Sequence, residues 1–204
     1  MHKAAHTLSL LLHPVWMPTL AVIIAFGIDP HLTFAFSYKG QWVIVGMVFI
    51  MTALFPVSSM FMLWRSGVVS ELAMHRRSER IVPYILTLIY FCMAYYLLRR
   101  TPNHPFTLAL FSGIILALAA DLLITLRWKV SIHMTGIGGI IGMVLGLMLF
   151  HGARAWFLPL LFILAGALGT ARLLISDHTP AQIYVGAAIG LAGTFGCLAF
   201  GIYY

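Results

Sequence analysis

Long apolar runs, each about 20 residues long, follow one another along the whole chain and are separated by short clusters of charged and turn-forming residues. A run of this length spans the hydrocarbon core of a bilayer when it is coiled as an α-helix. The pattern therefore predicts an all-α, polytopic membrane helix bundle of six or seven transmembrane helices. The number depends on whether the first run or 106–126 is re-entrant or tilted. The predicted spans are 8–28, 41–64, 81–99, 106–126, 130–150, 155–175 and 181–203.

Composition supports this interpretation and excludes a soluble globular domain. Of the 204 residues, 62% are hydrophobic and only 8% are charged, whereas about 25% of a soluble domain is charged. No linker or low-complexity segment interrupts the chain, so we expect one integral membrane domain over residues 1–204. Because Pro14 and Pro18 interrupt the first apolar run and no small-residue cleavage site follows it, we expect an uncleaved first span.

The net charge of +7 changes the expected partner. The basic residues lie in short loops between spans, so we expect anionic lipid or a phosphorylated membrane substrate, and no nucleic acid. Three polar clusters occur at 75–80, 127–133 and 172–178. Two spans separate each cluster from the next, and an even number of crossings returns the chain to the same side of the membrane. The three clusters should therefore meet at one membrane face.

Together the clusters contain several Arg, two His and a Ser, but few carboxylates. Guanidinium groups bind phosphate oxygens through paired hydrogen bonds, and histidine can act as a nucleophile or proton donor near neutral pH. No set of His and carboxylate residues has the spacing of metal ligands. We therefore expect a phosphoryl-transfer site without a metal or other cofactor.

Helix-start signals lie within two of these clusters. Ser131 is a favourable N-cap for the next span and would place His133 in its first turn. Thr179 to Gln182 form a capping box with Pro180 at the first helical position. Both helix starts would direct free N–H groups at one place, as anion binding favours.

Glycines at four-residue spacing should let the same two helices pack closely. Gly138, Gly142 and Gly146 share one helical face, and Gly186 and Gly190 share another. Small residues at this spacing allow helix backbones to approach each other in lipid. We expect these faces to bring the helix after Ser131 and the helix after His178 together.

The spacing of the polar residues resembles that of the type 2 phosphatidic acid phosphatase superfamily over about residues 75–190. Arg172, five residues, His178, and Gly186 eight residues later resemble the third family motif, which is Ser-Arg, five residues, His, three residues, Asp, and a glycine four later. Val-Ser131-Ile-His133 resembles the second motif, Pro-Ser-Gly-His. The run from Arg77 to Arg80 before Pro83 is a loose version of the first motif, Lys, six residues, Arg-Pro.

The resemblance implies roles for individual residues. His178 would be the nucleophile that forms a phosphohistidine, and His133 would protonate the leaving lipid alkoxide. The phosphate oxygens would be held by Arg80, Ser131, Arg172 and either Arg77 or Arg76. The substrate would be a membrane phospholipid or isoprenoid phosphate, such as phosphatidic acid, phosphatidylglycerol phosphate, an isoprenyl diphosphate or a lipid A phosphate.

Three positions depart from the family pattern. Ile132 replaces a glycine, Ala171 replaces a serine, and Gln182 stands where the family has an aspartate that orients the nucleophilic histidine. A Gln carbonyl can accept the ring N–H, but it cannot stabilise an imidazolium as a carboxylate does. Gln182 has two interpretations, a catalytic orienting residue or simply the helix cap.

Several alternatives stay open at the level of sequence. The rival function is a non-enzymatic lipid-phosphate binding or transport protein with a degenerate site. Asp121 lies inside a span, where we expect a structural hydrogen bond.

We expect the protein to lie in the bacterial inner (cytoplasmic) membrane. The loops of the proposed active face carry eight Lys and Arg against four on the other face. This excess points to the cytoplasm, but it disappears if Arg76, Arg77, Arg80 and Arg172 are ligands. The resemblance implies the outer side.

Overall fold

The computed structural model of the protein describes residues 2–70, 77–101, 105–175 and 178–201, apart from the side chains at positions 77 and 78. Every regular element in these ranges is a helix, and six helical segments are long and apolar enough to cross a membrane. The predicted all-α membrane bundle is confirmed. The helices are α1 His2–Leu11, α2 Met17–Ile28, α3 Pro30–Ala35, α4 Tyr38–Phe49, α5 Phe55–Arg65, α6 Ile81–Arg100, α7 Pro105–Thr125, α8 Ile132–Phe150, α9 Leu158–Ile175 and α10 Pro180–Gly201.

The first predicted span, 8–28, is wrong as a single helix. The chain turns at His13, whose backbone carbonyl accepts the Trp16 N–H at 3.0 Å and whose Nδ1 accepts the Val15 N–H at 3.3 Å. Pro14 lies inside this turn, and a proline ring excludes the preceding residues from a continuous helix. The result is a short α1 and a separate α2 of 12 residues, about 18 Å long at 1.5 Å per residue.

The second predicted span combines α4 and α5, which are joined by a π-helical turn at Ile50–Leu54. Pro56 follows this turn directly and has no N–H to continue the α-helical hydrogen bonds. The wider π-helical turn takes up one additional residue between α4 and α5. The Thr52 hydroxyl donates to the Val48 carbonyl at 2.9 Å within the turn.

Helix α8 is the most buried of the six spans and packs closely against α10. A Cβ placed on Gly142 would lie 2.5 Å from the Leu191 carbonyl oxygen, and one placed on Gly186 would lie 2.6 Å from the Ser131 carbonyl oxygen. Only glycine fits at such distances. The predicted close packing of the two glycine faces is confirmed, and it brings the N-terminal ends of α8 and α10 together.

Helix α1 packs against α9 and buries Ala5 and Ser9. The turn after α1 therefore lies beside the first turn of α8, where His13 contacts His133 edge-to-face with ring centroids 5.2 Å apart. An N-terminal segment that sequence patterning assigned to a span instead covers the N-terminal end of α8.

Candidate active site

A cavity of about 890 Å³ opens among the helices, and cationic side chains cluster at one end of it. This end lies where α8 and α10 begin and α9 ends, and it is lined by Arg80, Lys129, His133, Arg172 and His178. These residues come from all three polar clusters. The structure thus brings described members of each cluster to one site, as the even number of crossings between them predicts.

The rest of the cavity is mainly apolar and extends deep into the bundle. It reaches Thr194 on α10 and Leu110 on α7. Thr194 lies 14 residues beyond the start of α10, about 21 Å along the helix axis at 1.5 Å per residue. A cavity of this depth covers about two-thirds of the 30 Å hydrocarbon core of a bilayer, so it can hold a lipid chain beneath the charged end.

The ring of His178 is held by the side chain of Gln182. Gln182 Oε1 lies 3.0 Å from His178 Nδ1 and also accepts the Thr179 N–H at 3.1 Å. Because the backbone N–H can only donate, the amide oxygen must face this side. His178 Nδ1 must then carry the proton and donate to the same oxygen. This leaves the lone pair of Nε2 free to act as a nucleophile.

One oxygen atom of Gln182 makes both of the contacts that the two sequence interpretations require. Two hydrogen bonds form the predicted capping box. Gln182 Oε1 accepts the Thr179 N–H, and the Gln182 N–H donates to Thr179 Oγ1 at 3.4 Å. The side chain of Gln182 is buried, with 7% exposed. The cap fixes the amide, and the fixed amide orients the histidine.

The electrostatic surroundings of His178 favour the neutral ring. Burial lowers its pKa below the ordinary value of 6.5; the hydrogen bond to Gln182 opposes this shift, and the charges of Arg172, Arg80 and Lys129 lower the pKa further. A neutral imidazole is the form in which Nε2 can attack a phosphorus atom. The same three cations are positioned to attract a phosphate group.

His133 lies in the first turn of α8, as predicted, and is 8% exposed. Its ring lies beside the backbone of Ser9, and its edge-to-face partner is His13. Burial lowers the pKa of His13, and the charge of Arg172 lowers it further. His13 and Ser9 were not predicted as site residues. The sequence feature that could have identified His13 is its position directly before Pro14, in an apolar run that two prolines interrupt.

The position of Ser131 differs from the role that the resemblance implies. Ser131 occupies the N-cap position of α8, but its side chain makes no capping hydrogen bond. It is fully buried, its hydroxyl has no partner among the described residues, and it does not line the cavity. Its backbone N–H instead donates to the Gln182 carbonyl at 3.3 Å. Ser131 joins the starts of α8 and α10 and is not placed to contact a phosphate in the cavity.

Of the remaining predicted phosphate ligands, the structure describes the side chains of two. Arg80 and Arg172 line the cavity. Arg76 lies outside the described residues, and so does the side chain of Arg77, whose backbone begins a 3-10 turn at Arg77–Arg80. The choice between Arg76 and Arg77 therefore stays a prediction.

Asp121 does not make the structural hydrogen bond that we expected. It is 0% exposed and lines the cavity, and neither carboxylate oxygen has a hydrogen-bond partner within the described ranges. Thr135 lies beside it, but the Thr135 hydroxyl donates to the Ser131 carbonyl at 3.4 Å. Arg127, the nearest basic residue in the sequence, is exposed and lies beyond the end of α7.

Comparison with known proteins adds nothing to these observations. No protein-family model, no curated protein and no solved structure matches the chain. The resemblance to the phosphatase superfamily thus rests on the motif residues themselves. Across the part of the chain that the structure describes, no three His, Cys, Asp or Glu side chains form a group that could hold a metal ion.

Proposed function

We propose that this integral membrane protein is a lipid phosphatase that hydrolyses a lipid phosphate or diphosphate through a phosphohistidine intermediate. The observation that carries the proposal is the oriented His178 ring, with its Nε2 free, at the cationic end of a cavity whose remaining wall is mainly apolar. The cationic end fits a phosphate group and the apolar part fits an acyl or prenyl chain.

The reaction follows from the positions of the two histidines. His178 Nε2 attacks phosphorus, the P–O bond to the lipid breaks, and protonated His133 gives its proton to the leaving alkoxide. Water then attacks the phosphohistidine, the P–N bond breaks, and neutral His133 takes a proton from the water. Inorganic phosphate leaves, and both histidines return to their starting states.

Three fixed cations support this sequence. Arg80, Lys129 and Arg172 line the end of the cavity at which the phosphate would bind. Fixed cations stabilise charge that develops on phosphate oxygens in the transition state. The backbone of Ser9 lies beside the ring of His133 and limits its movement.

The rival function is a lipid-phosphate binder or transporter without turnover, and the observation in its favour is Gln182. A carboxylate at this position would stabilise the imidazolium, and an amide cannot. His133 argues for the phosphatase, because binding alone requires no proton donor beside the nucleophile.

The deciding experiment measures phosphate release from a panel of lipid phosphates by purified protein in detergent. The panel contains phosphatidate, phosphatidylglycerol phosphate, an isoprenyl diphosphate and a lipid A phosphate. We expect release by the wild type and less than a few per cent of that rate in His178→Ala, with the thermal melt unchanged. Tight binding of a lipid phosphate without release by the wild type would support the rival function.

The proposed location is the bacterial cytoplasmic membrane, with the site on its outer side. The outer side is proposed because the resemblance to the phosphatase superfamily implies it. The counts of Lys and Arg favour neither face once the proposed phosphate ligands are set aside. Single cysteines at positions 78 and 103, at opposite ends of α6, test the orientation with a membrane-impermeant thiol reagent. Labelling of position 103 alone in intact cells would place the site in the cytoplasm.

A further inference from the structure

Asp121 is an acidic side chain in the wall of the cavity with no assigned role. It is fully buried on α7, lines the cavity, and has no hydrogen-bond partner among the described residues for either carboxylate oxygen. Buried polar groups in proteins are almost always paired, because an unpaired one loses its hydration without compensation. An unpaired carboxylate that faces a cavity is therefore an acceptor for a group that enters the cavity.

The depth of Asp121 is set by its neighbours on two other helices. Thr135 lies beside it on α8, one helical turn below Ser131, and Tyr84 lies near it on α6, one turn below Arg80. One turn of α-helix is about 5.4 Å long. Asp121 thus lies about one turn deeper in the membrane than the cationic end of the cavity, on the path that the lipid backbone would take from the phosphate.

The chemistry of this position limits what it can bind. A carboxylate accepts hydrogen bonds and attracts positive charge, so its partner must be a donor. A donor one helical turn from the phosphate corresponds to a group on the second or third carbon of the lipid backbone, counted from the phosphate ester. Free hydroxyl and ammonium groups occur at these carbons in some phospholipids, while prenyl phosphates have no donor there.

We infer that Asp121 and the neighbouring Thr135 form a second polar subsite, which binds a free hydroxyl or ammonium group on the backbone of the lipid phosphate. The inference rests on the proposed function and narrows its substrate class. Lipid phosphates with a free backbone donor, such as a monoacyl glycerol phosphate or a sphingoid-base phosphate, are preferred over prenyl phosphates. Diacyl phosphatidate is disfavoured because its second carbon is esterified.

The test compares two lipids that differ in a single group. One is 1-oleoyl glycerol 3-phosphate, and the other is the 3-oleoyloxypropyl phosphate that lacks only the hydroxyl on the second carbon. A site built to bind a hydroxyl discriminates strongly against the analogue without it. We expect the wild-type kcat/KM to be tenfold or more higher for the hydroxyl lipid, with the difference mainly in KM.

Variants of Asp121 should remove this preference selectively. Asp121→Leu should bring the two kcat/KM values within about twofold of each other by lowering only the value for the hydroxyl lipid. Asp121→Asn keeps an acceptor oxygen but no charge, so it should retain part of the hydroxyl preference and lose activity on sphingosine 1-phosphate, whose donor is an ammonium. Thr52→Val is the matched control, because the Thr52 hydroxyl also lines the cavity but already donates to Val48; it should leave the ratio unchanged.

The outcomes separate this inference from the proposed function. If the wild type hydrolyses both lipids equally, or if Asp121→Leu lowers both values in parallel, the subsite is refuted and the phosphatase stands. If neither of these lipids nor any lipid of the panel is hydrolysed, the phosphatase fails, and thermal stabilisation of the wild type by the two lipids still tests the subsite. Equal stabilisation by both lipids would then refute the subsite as well.

Discussion

The double role of Gln182 leads to a prediction in which catalysis and stability separate. Gln182→Leu removes the oxygen that accepts from both Thr179 N and His178 Nδ1. Loss of the cap should cost about 1 kcal/mol of folding free energy, which corresponds to about 2–4 °C in Tm for a chain of this size. Loss of the partner that orients His178 should lower kcat about 10- to 100-fold.

A matched control separates the two effects. Thr179→Ala removes the other half of the capping box, the 3.4 Å contact between Thr179 Oγ1 and the Gln182 N–H. It leaves the Gln182 oxygen and its bond to His178 in place. We expect a similar fall in Tm, again about 1 kcal/mol, with kcat close to the wild-type value.

The third variant, Gln182→Glu, tests the charge at constant side-chain length. The proposed reactive form of His178 is neutral, so on the acid side activity is lost as the pH falls through the pKa of His178. Burial lowers this pKa below 6.5 in the wild type, which places the acid limb of kcat/KM below pH 6.5. A carboxylate beside the ring raises the pKa, so the acid limb should move to higher pH.

The assay is phosphate release from a lipid phosphate between pH 4.5 and 8.5, with thermal melts of the same preparations. Equal kcat values for Gln182→Leu and Thr179→Ala would refute the orienting role, and Gln182 would then be only a cap. An acid limb that stays in place in Gln182→Glu would show that the titrating group is not His178.

Three further predictions concern metal, Ser131 and the glycine interface. Activity should persist in excess EDTA and be inhibited by vanadate, which mimics the pentacoordinate phosphoryl group; loss in EDTA with rescue by magnesium would exclude the proposed mechanism. Ser131→Ala should keep kcat within about threefold of the wild type, because the removed hydroxyl is buried and unpartnered, and a hundredfold loss would restore it as a phosphate ligand. Gly142→Ala should lower Tm, because its Cβ would lie 2.5 Å from the Leu191 carbonyl oxygen, whereas Gly166→Ala, with nothing within 4 Å, should not.

The parts of the site that are local in sequence could be predicted from it. His178 and Gln182 are four residues apart, so the start of one helix determines their contact. The shared face of the three clusters follows from counting crossings, and the close packing of α8 and α10 follows from glycine spacing. Each of these follows from a short spacing, a regular repeat or a count of spans that can be made along the chain.

The parts that depend on distant contacts could not be predicted. His13 reaches His133 only because the chain turns at Pro14 and α1 packs on α9, and no periodic pattern encodes that contact. Ser131 was correctly placed at the N-cap, but a cap position does not determine which way a hydroxyl points. Asp121 could not be recognised as unpaired from sequence, since its neighbours come from α6 and α8.

The packing of α1 on α9 also has a consequence for how the protein is made. About 150 residues separate the two helices along the chain, so at 5–20 residues per second α1 is synthesised roughly 8–30 s before its partner. During this interval α1 has nothing to dock against, and its exposed His2, Lys3 and His6 beside Leu10 and Leu11 suit it to rest at the lipid headgroups. His133 gains its contact with the Ser9 backbone only when α1 docks, after α9 has been inserted. A nascent chain therefore lacks the α1 contacts of His133, the proposed proton donor, until nearly all of it has been translated.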